Sequence, residues 1–193
     1  MTGGRKVAAA AALAGALGLA AVLGMRRTDP GPEAPLPDRI EAPRVVIRRG
    51  ARVLELYDGG RLLKRYPAAM GSRAEGDKER EGDRTTPLGD FYVCTRNEKS
   101  RFHRFLGLSY PAPEDAERGL RAGMIGRREH SEILEAHRRR VRPPWKTALG
   151  GEVGIHGGGA GRDWTLGCIA VSNGHVEELW RALRMGDPVT IVP

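Results

Sequence analysis

Five prolines fall within the sixteen residues from Thr28 to Pro43, TDPGPEAPLPDRIEAP, and they cut this chain in two. Each proline fixes its own φ, removes a backbone donor and pushes the preceding residue away from helical angles, so the stretch can be neither helix nor inner strand. With no apolar periodicity, residues 28–43 read as an extended linker. The 150 residues from 44 to 193 are enough for one domain with a core of its own, and they show no internal repeat.

Ahead of the linker, Arg5 and Lys6 precede an uninterrupted apolar run of 18 residues from Val7 to Gly24. This is the pattern of a targeting segment, so residues 1–27 read as a signal peptide or an N-terminal membrane anchor. A helix of that length reaches roughly 27 Å, just short of a hydrocarbon core of about 30 Å. Gly18-Leu19-Ala20 offers small residues for cleavage, whereas Met25-Arg26-Arg27 resembles the far flank of a retained anchor, the reading favoured here. A buried core helix would show polar positions at helical period, and none occur. Neither cysteine, Cys94 or Cys168, follows the run, so a lipid has no acceptor there.

The chain carries 32 Lys and Arg against 24 Asp and Glu, a formal charge of +8, which favours anionic partners. The densest run, Arg138 to Arg140 with Arg142 and Lys146, lacks the aromatic interleaving or zinc-finger spacing of a nucleic-acid reader, and nucleic acid is not expected as a partner.

Short apolar or alternating segments at Val45 to Ile47, Val53 to Tyr57, Leu62 to Ala69 and Phe91 to Thr95, separated by turn signals such as Asp58-Gly59-Gly60, predict strands. Between Glu114 and Arg140 the period changes, with Ile133, Leu134, His137 and Val141 at helical spacing, predicting a helical insertion ended by Pro143-Pro144. Val153 to His156 resumes as a strand. Val176, Leu179, Trp180 and Leu183 then predict a helix capped by Asn173 and closed by Gly186, before a last strand at Val189 to Val192. The fold class is mainly β with helical insertions, α+β.

Chemistry concentrates in IHGGGAGRDWTLGCIAVSN, from Ile155 to Asn173, where glycines at 157, 158, 159, 161 and 167 allow close backbone approach to a ligand. A phosphate loop would need a following Gly-Lys-Ser/Thr, and the dinucleotide spacing is absent. Zinc would require His156, Cys168 and the remote His103 to converge without the usual paired spacing. Nucleophilic catalysis needs a thiol with a neighbouring base: Cys168 beyond the loop and His156 at a strand end supply both. The N–H of Gly167 could then serve an oxyanion. A cysteine followed by Ile-Ala-Val is equally compatible with a small buried hydrophobe, which is the reading for Cys94.

Ile155-His156-Gly157 followed by Thr165-Leu166-Gly167-Cys168-Ile169 and Asn173 resembles the signature of the YkuD-type L,D-transpeptidase catalytic domain. Thr86-Pro87-Leu88-Gly89-Asp90-Phe91-Tyr92 resembles that family's Thr-Pro-x-Gly-x-Phe/Tyr segment, and Leu56-Tyr57-Asp58-Gly59-Gly60 its early hairpin. The resemblance covers nearly all of 44–193. It implies a YkuD-like, β-sandwich catalytic domain whose cysteine attacks a peptide carbonyl on the L side of a D-centre in peptidoglycan stem peptides. Carried over residue by residue, Cys168 is the nucleophile, His156 the base, the carbonyl of Gly157 the group that orients the imidazole, and the N–H groups of Gly167 and Cys168 the oxyanion hole. Trp164, Thr165, Asn173 and His103 are candidate substrate contacts, although Trp164 can equally be packing and His103 a surface imidazole. No metal or organic cofactor is implied.

Leu166 and Ala170 stand where the common signature has histidine and arginine. With Asn97-Glu98-Lys99-Ser100-Arg101-Phe102-His103 and Leu106-Gly107-Leu108-Ser109-Tyr110-Pro111, this is similar to the YafK-type branch, in which hydrolysis is known as well as transfer. The expectations are therefore an exported envelope protein, periplasmic and tethered to the inner membrane if the first segment is retained, that crosslinks or remodels the wall. An L,D-carboxypeptidase or amidase on the same scaffold, and a non-catalytic wall-binding module, are the alternatives. The insertion from Glu114 to Arg142 would cover the cleft, its arginines, 138 to 140 among them, meeting stem carboxylates.

Overall fold

The structure, a computed structural model, describes Met1 and residues 35–193. The apolar run from Val7 to Gly24 and the first part of the linker lie outside the described residues. Among the described residues, no helix is long and apolar enough to cross a membrane.

Alternating valine, isoleucine and leucine residues put one face of each strand inward, and the strands pair into a single curled sheet. Strand β1 (Pro43–Arg48) pairs antiparallel with β2 (Val53–Asp58), and β2 pairs with β3 (Arg61–Pro67) across the Asp58-Gly59-Gly60 turn. Gly59 takes φ +53 in that turn, which glycine adopts without strain. The twelve-residue β4 (Gly89–Ser100) follows, then β5 (His103–Leu108), β6 (Gly154–His156), the two-residue β7 (Ile169–Ala170) and β8 (Pro188–Val192). Sheet order is β3-β2-β1-β8-β4-β5-β6-β7. A bridge between Ala69, just past β3, and Ala170 of β7, with reciprocal N–H···O bonds of 2.8 Å, stitches the two edges together. The sandwich expected from sequence is thus one sheet folded round on itself.

Inside the curl, Ile47, Leu54, Leu56, Tyr66, Leu106, Leu108, Ile155, Ile169 and Val171 form the core with Val176, Leu179 and Leu183 of helix α3 (Asn173–Ala182). Each such side chain contributes about 1.5–3 kcal/mol by leaving water. The register of β4 shifts between Val93 and Thr95. Val93 faces the core opposite Leu108, whereas Thr95 lies opposite Gly107 on the outer face, as a bulge re-aims side chains. The outer face of β4 to β7 thereby becomes the wall of a cleft.

Several boundaries differ from those read in the sequence. Leu36 and Ile40 pack against the core, and Ala42 N–H donates to Asp58 at 2.8 Å, so the packed region begins inside the expected linker of 28–43. The insertion is two helices, α1 (Pro113–Arg121) and α2 (Arg127–Arg138), broken where Gly123 takes φ +67. Its own small core of Ala116, Ile125, Ile133 and Leu149 joins it to the sheet, with Tyr92 O–H donating to Val141 O at 2.8 Å. Helix α3 is capped by Ser172, whose Oγ accepts from His175 N–H at 3.1 Å, one residue before the expected Asn173. Its far end is held by Arg96, which donates to Trp180 O and Leu183 O, and Gly186 instead forms the next turn, donating to Val93 O. A long cationic side chain has met the last carbonyls where a glycine was expected to do so.

Candidate active site

Strands β6 and β7 run parallel, with Ile155 opposite Ile169 and His156 opposite Ala170. Side chains alternate along a strand, so Ile155, Ile169 and Val171 share the core face while His156, Ala170 and Cys168 share the other. The histidine and the cysteine therefore stand on the same outward face of adjacent strands, diagonal to one another. Both line a cleft of about 680 Å³, walled by Thr95, Phe102, Phe105, Trp145, Trp164 and the Thr165–Gly167 turn.

The ring of His156 is fixed on three sides. Its Nδ1 lies 2.6 Å from Gly157 O, and because a carbonyl only accepts, Nδ1 must carry the proton. Nε2 is left as the unprotonated nitrogen. Phe102 stacks on the imidazole at 4.6 Å between centroids, and the edge of Trp164 meets it at 5.6 Å. Burial in this aromatic slot lowers the His156 pKa, opposed by the Gly157 hydrogen bond and aided by the nearby charge of Arg101. The imidazole is held neutral at neutral pH.

Cys168 is a free, part-exposed thiol whose Sγ donates to Glu152 O at 3.3 Å. Glu152 adopts φ +53, a strained conformation for a residue with a Cβ, and it aims that carbonyl at the sulfur. Burial pushes the thiol up to about 11, against a lowering by the Gly154 N–H and by Lys78. Cys94, by contrast, is a buried thiol in β4, 3 % exposed, and matches its reading as a small hydrophobe.

The turn before Cys168 departs from expectation in one respect. Gly167 N–H donates to Thr165 Oγ1 at 3.1 Å, so it is turned into the protein rather than toward the cleft. Thr165 Oγ1 in turn donates to Cys168 O at 2.7 Å, and Thr165, 3 % exposed, acts as the peg that shapes the turn. Glycine is required at 167 because φ is +132 and a Cβ would press within 2.9 Å of Thr85 O. Among the described residues the N–H of Cys168 meets no backbone acceptor, which leaves it as the donor available to an oxyanion.

Other expected contacts fall into two groups. Trp164 and Thr165 line the cleft, the indole N–H of Trp164 donating to Gly159 O at 3.1 Å. Asn173 and His103 do not. Asn173 Oδ1 accepts from Gly158 N–H at 2.9 Å and clamps the Gly157–Gly158 backbone, a positioning role. His103 pairs with Glu177 Oε1 at 2.7 Å on the α3 side. The basic run of the insertion lies elsewhere too: Arg138 pairs with Glu135, and Arg140 donates to Gly186 O while lying over Tyr92. Of that run only Arg142 reaches the cleft.

Sequence reasoning missed Lys78, Phe102, Phe105, Trp145 and Glu152. Only Lys78 had a local signal, the Glu-Gly-Asp repeated at 75–77 and 81–83 on either side of it. The rest come together through strand pairing.

The model of the YkuD L,D-transpeptidase catalytic domain matches residues 42–191. No curated protein matches the chain in sequence. Among solved structures, the helical cell shape determining protein Pgp2 from Campylobacter jejuni, as its K307A mutant, is 20 % identical, with 78 % of this chain and 46 % of that one covered and a TM-score of 0.54. Bd1075 from Bdellovibrio bacteriovorus is 16 % identical, with 81 % and 50 % covered at a TM-score of 0.50. An L,D-transpeptidase from Xylanimonas cellulosilytica DSM 15894 is 19 % identical, with 82 % and 64 % covered at 0.47. The chain thus spans between 46 % and 64 % of the length of these structures.

Proposed function

Because the chain belongs to the YkuD family of L,D-transpeptidase catalytic domains, we propose that it is a cysteine enzyme of the cell envelope acting on peptidoglycan stem peptides, with Cys168 as nucleophile and His156 as base. The observation that carries this reading is the fixed tautomer of His156: with Nδ1–H held by Gly157 O, the basic Nε2 is the nitrogen free to serve the thiol on the neighbouring strand.

In this mechanism the Sγ proton passes to His156 Nε2 as sulfur bonds to the carbonyl carbon on the L side of the scissile L,D bond. The carbonyl electrons move onto oxygen, which receives the N–H of Cys168. Collapse breaks the C–N bond, His156 returns the proton to the leaving amine, and a thioester remains. An amine of a second stem resolves it to a crosslink, or water resolves it to a shortened stem. Four cationic side chains, Lys78, Lys99, Arg101 and Arg142, line the cleft against two carboxylates, Glu81 and Glu152, a balance that favours an anionic peptide. Residues 1–27 serve as the export segment and the proline-rich stretch after them as a spacer; the catalytic unit extends from the packed Leu36 onward.

The test is mass spectrometry of disaccharide tetrapeptide incubated with the protein. Crosslinked dimers establish transfer and shortened monomers hydrolysis, while substrate unchanged under both amine-rich and amine-free conditions would remove the catalytic reading in favour of a wall-binding module.

The pH profile has a defined sign. Burial holds His156 below its ordinary value of about 6.5, so the neutral base persists as pH falls through that value and is lost only at the lower, folded-state pKa. The acid limb of kcat/KM is expected to have its midpoint below about 6.5. A midpoint above it would show that burial of the imidazole does not set the basicity of the acting base.

A further inference from the structure

The loop ahead of Thr86-Pro87 buries a lysine. Lys78 is 2 % exposed, although lysine is among the residue types least often found inside a protein. Its Nζ donates to Asp83 Oδ1 at 2.8 Å and to Arg80 O at 3.0 Å, and it stands 5.7 Å from the centroid of the Tyr110 ring. The backbone around it is equally restrained: Lys78 N–H donates to Asp77, and Arg118 of α1 donates to Lys78 O at 2.8 Å.

The side chain of Asp83 is itself buried and is held by more than this cation. It already accepts from the N–H groups of Glu79, Arg80 and Thr85. An ammonium has three donors, of which two are used here, and Lys78 lines the cleft beside Gly167 and Cys168. A Cβ on Gly167 would come within 3.9 Å of Nζ. A fixed positive charge therefore stands behind the turn that carries the thiol, where burial makes a charge both costly to place and effective once placed.

We propose that Lys78 is a positioning residue for Cys168: its charge, acting across the Gly167 turn without touching substrate, favours the thiolate and the negative charge that builds at the Cys168 N–H during acyl transfer. The role rests on Cys168 being the nucleophile. The only bond change involved is loss of the Sγ proton, to His156 Nε2 or to solvent. From the other elements, the cleft that holds the thiol is lined by His156 of β6, Glu152 just before it, Lys99 and Arg101 at the β4–β5 end, Arg142 after α2 and Glu81 on the lysine's own loop. Glu152 opposes the thiolate and Lys78 supports it.

The test is alkylation of Cys168 in the full chain by iodoacetamide, followed by peptide mass spectrometry between about pH 7 and 9, below the thiol's midpoint, where rate tracks the thiolate fraction. Lys78→Gln, which keeps a donor for Asp83, is expected to slow alkylation about tenfold, the effect of losing one nearby opposite charge. Lys78→Arg should retain the wild-type rate. Lys78→Met repeats the loss of charge with a different side chain, and thermal melting identifies folded variants. A purely structural lysine would lower Tm and, by loosening the turn, leave alkylation unchanged or faster; that result in a folded neutral variant overturns the proposal. Alkylation uses no peptidoglycan, so its failure would leave Cys168 as nucleophile, whereas full turnover by Cys168→Ala would remove the nucleophile itself.

Discussion

Replacing Cys168 with alanine is expected to reduce turnover of disaccharide tetrapeptide by at least about 10⁴-fold, because removal of a nucleophile leaves only binding and oxyanion contacts. The same variant should melt within about 4 °C of the wild type. The thiol is part-exposed and its bonds, to Glu152 O and from the Gly154 N–H, are weak sulfur bonds, so its loss opens no sealed cavity. Chemistry and stability separate at this residue. Turnover in Cys168→Ala above about one hundredth of the wild-type rate would show that the thiol is not the attacking group.

Gly157→Ala should be nearly as damaging by a different route. Its backbone has no positive φ that would demand glycine; the constraint is space. A Cβ there would collide with Asn173 Oδ1 and stand 2.8 Å from Phe102 O. Those two groups hold the segment, Phe102 O by accepting Gly157 N–H at 3.0 Å and Asn173 by accepting Gly158 N–H at 2.9 Å. Neither can yield without moving the carbonyl that fixes His156 Nδ1. A displacement of about 1 Å at a base costs on the order of 10²-fold, and the loss is expected in kcat more than in KM. Asn173→Ala, which frees the same clamp without adding an atom, provides the comparison. If Gly157→Ala kept wild-type kcat, the carbonyl would have no part in orienting the imidazole.

How much of this is legible in the chain depends on distance. The His156 and Cys168 pair is legible because residues 155–169 carry both members and the glycines between them. Helix α3 is legible because Val176, Leu179, Trp180 and Leu183 repeat at helical period, although its caps are not: Ser172 and Asn173 are both good caps, and Arg96 reaches its last carbonyls from 84 residues away. Strand β7 is two residues long, too short for any periodicity to show, and β5 is hidden inside a motif. The repeated Glu-Gly-Asp around Lys78 marks a charged loop but not that the lysine within it is buried. Its burial follows from Asp83, Tyr110 and Arg118 converging on it, the last from a separate helix. The insertion's arginines illustrate the opposite error, in which charge near the site in sequence is mistaken for charge in the site.

The stitch between Ala69 and Ala170 also guards against a register error. Because pleated side chains alternate, sliding β7 by a single residue along β6 would turn Ile169 outward and bury the thiol in its place. A two-residue strand paired on one side only would have little to prevent this. Here β7 is gripped from both flanks, by His156 and Ile155 on one and by the reciprocal bonds of Ala69 on the other. A slipped strand would forfeit both ladders together, so the identity of the residue offered to solvent is secured by the closing of the sheet as a whole, not by the few residues around the sulfur.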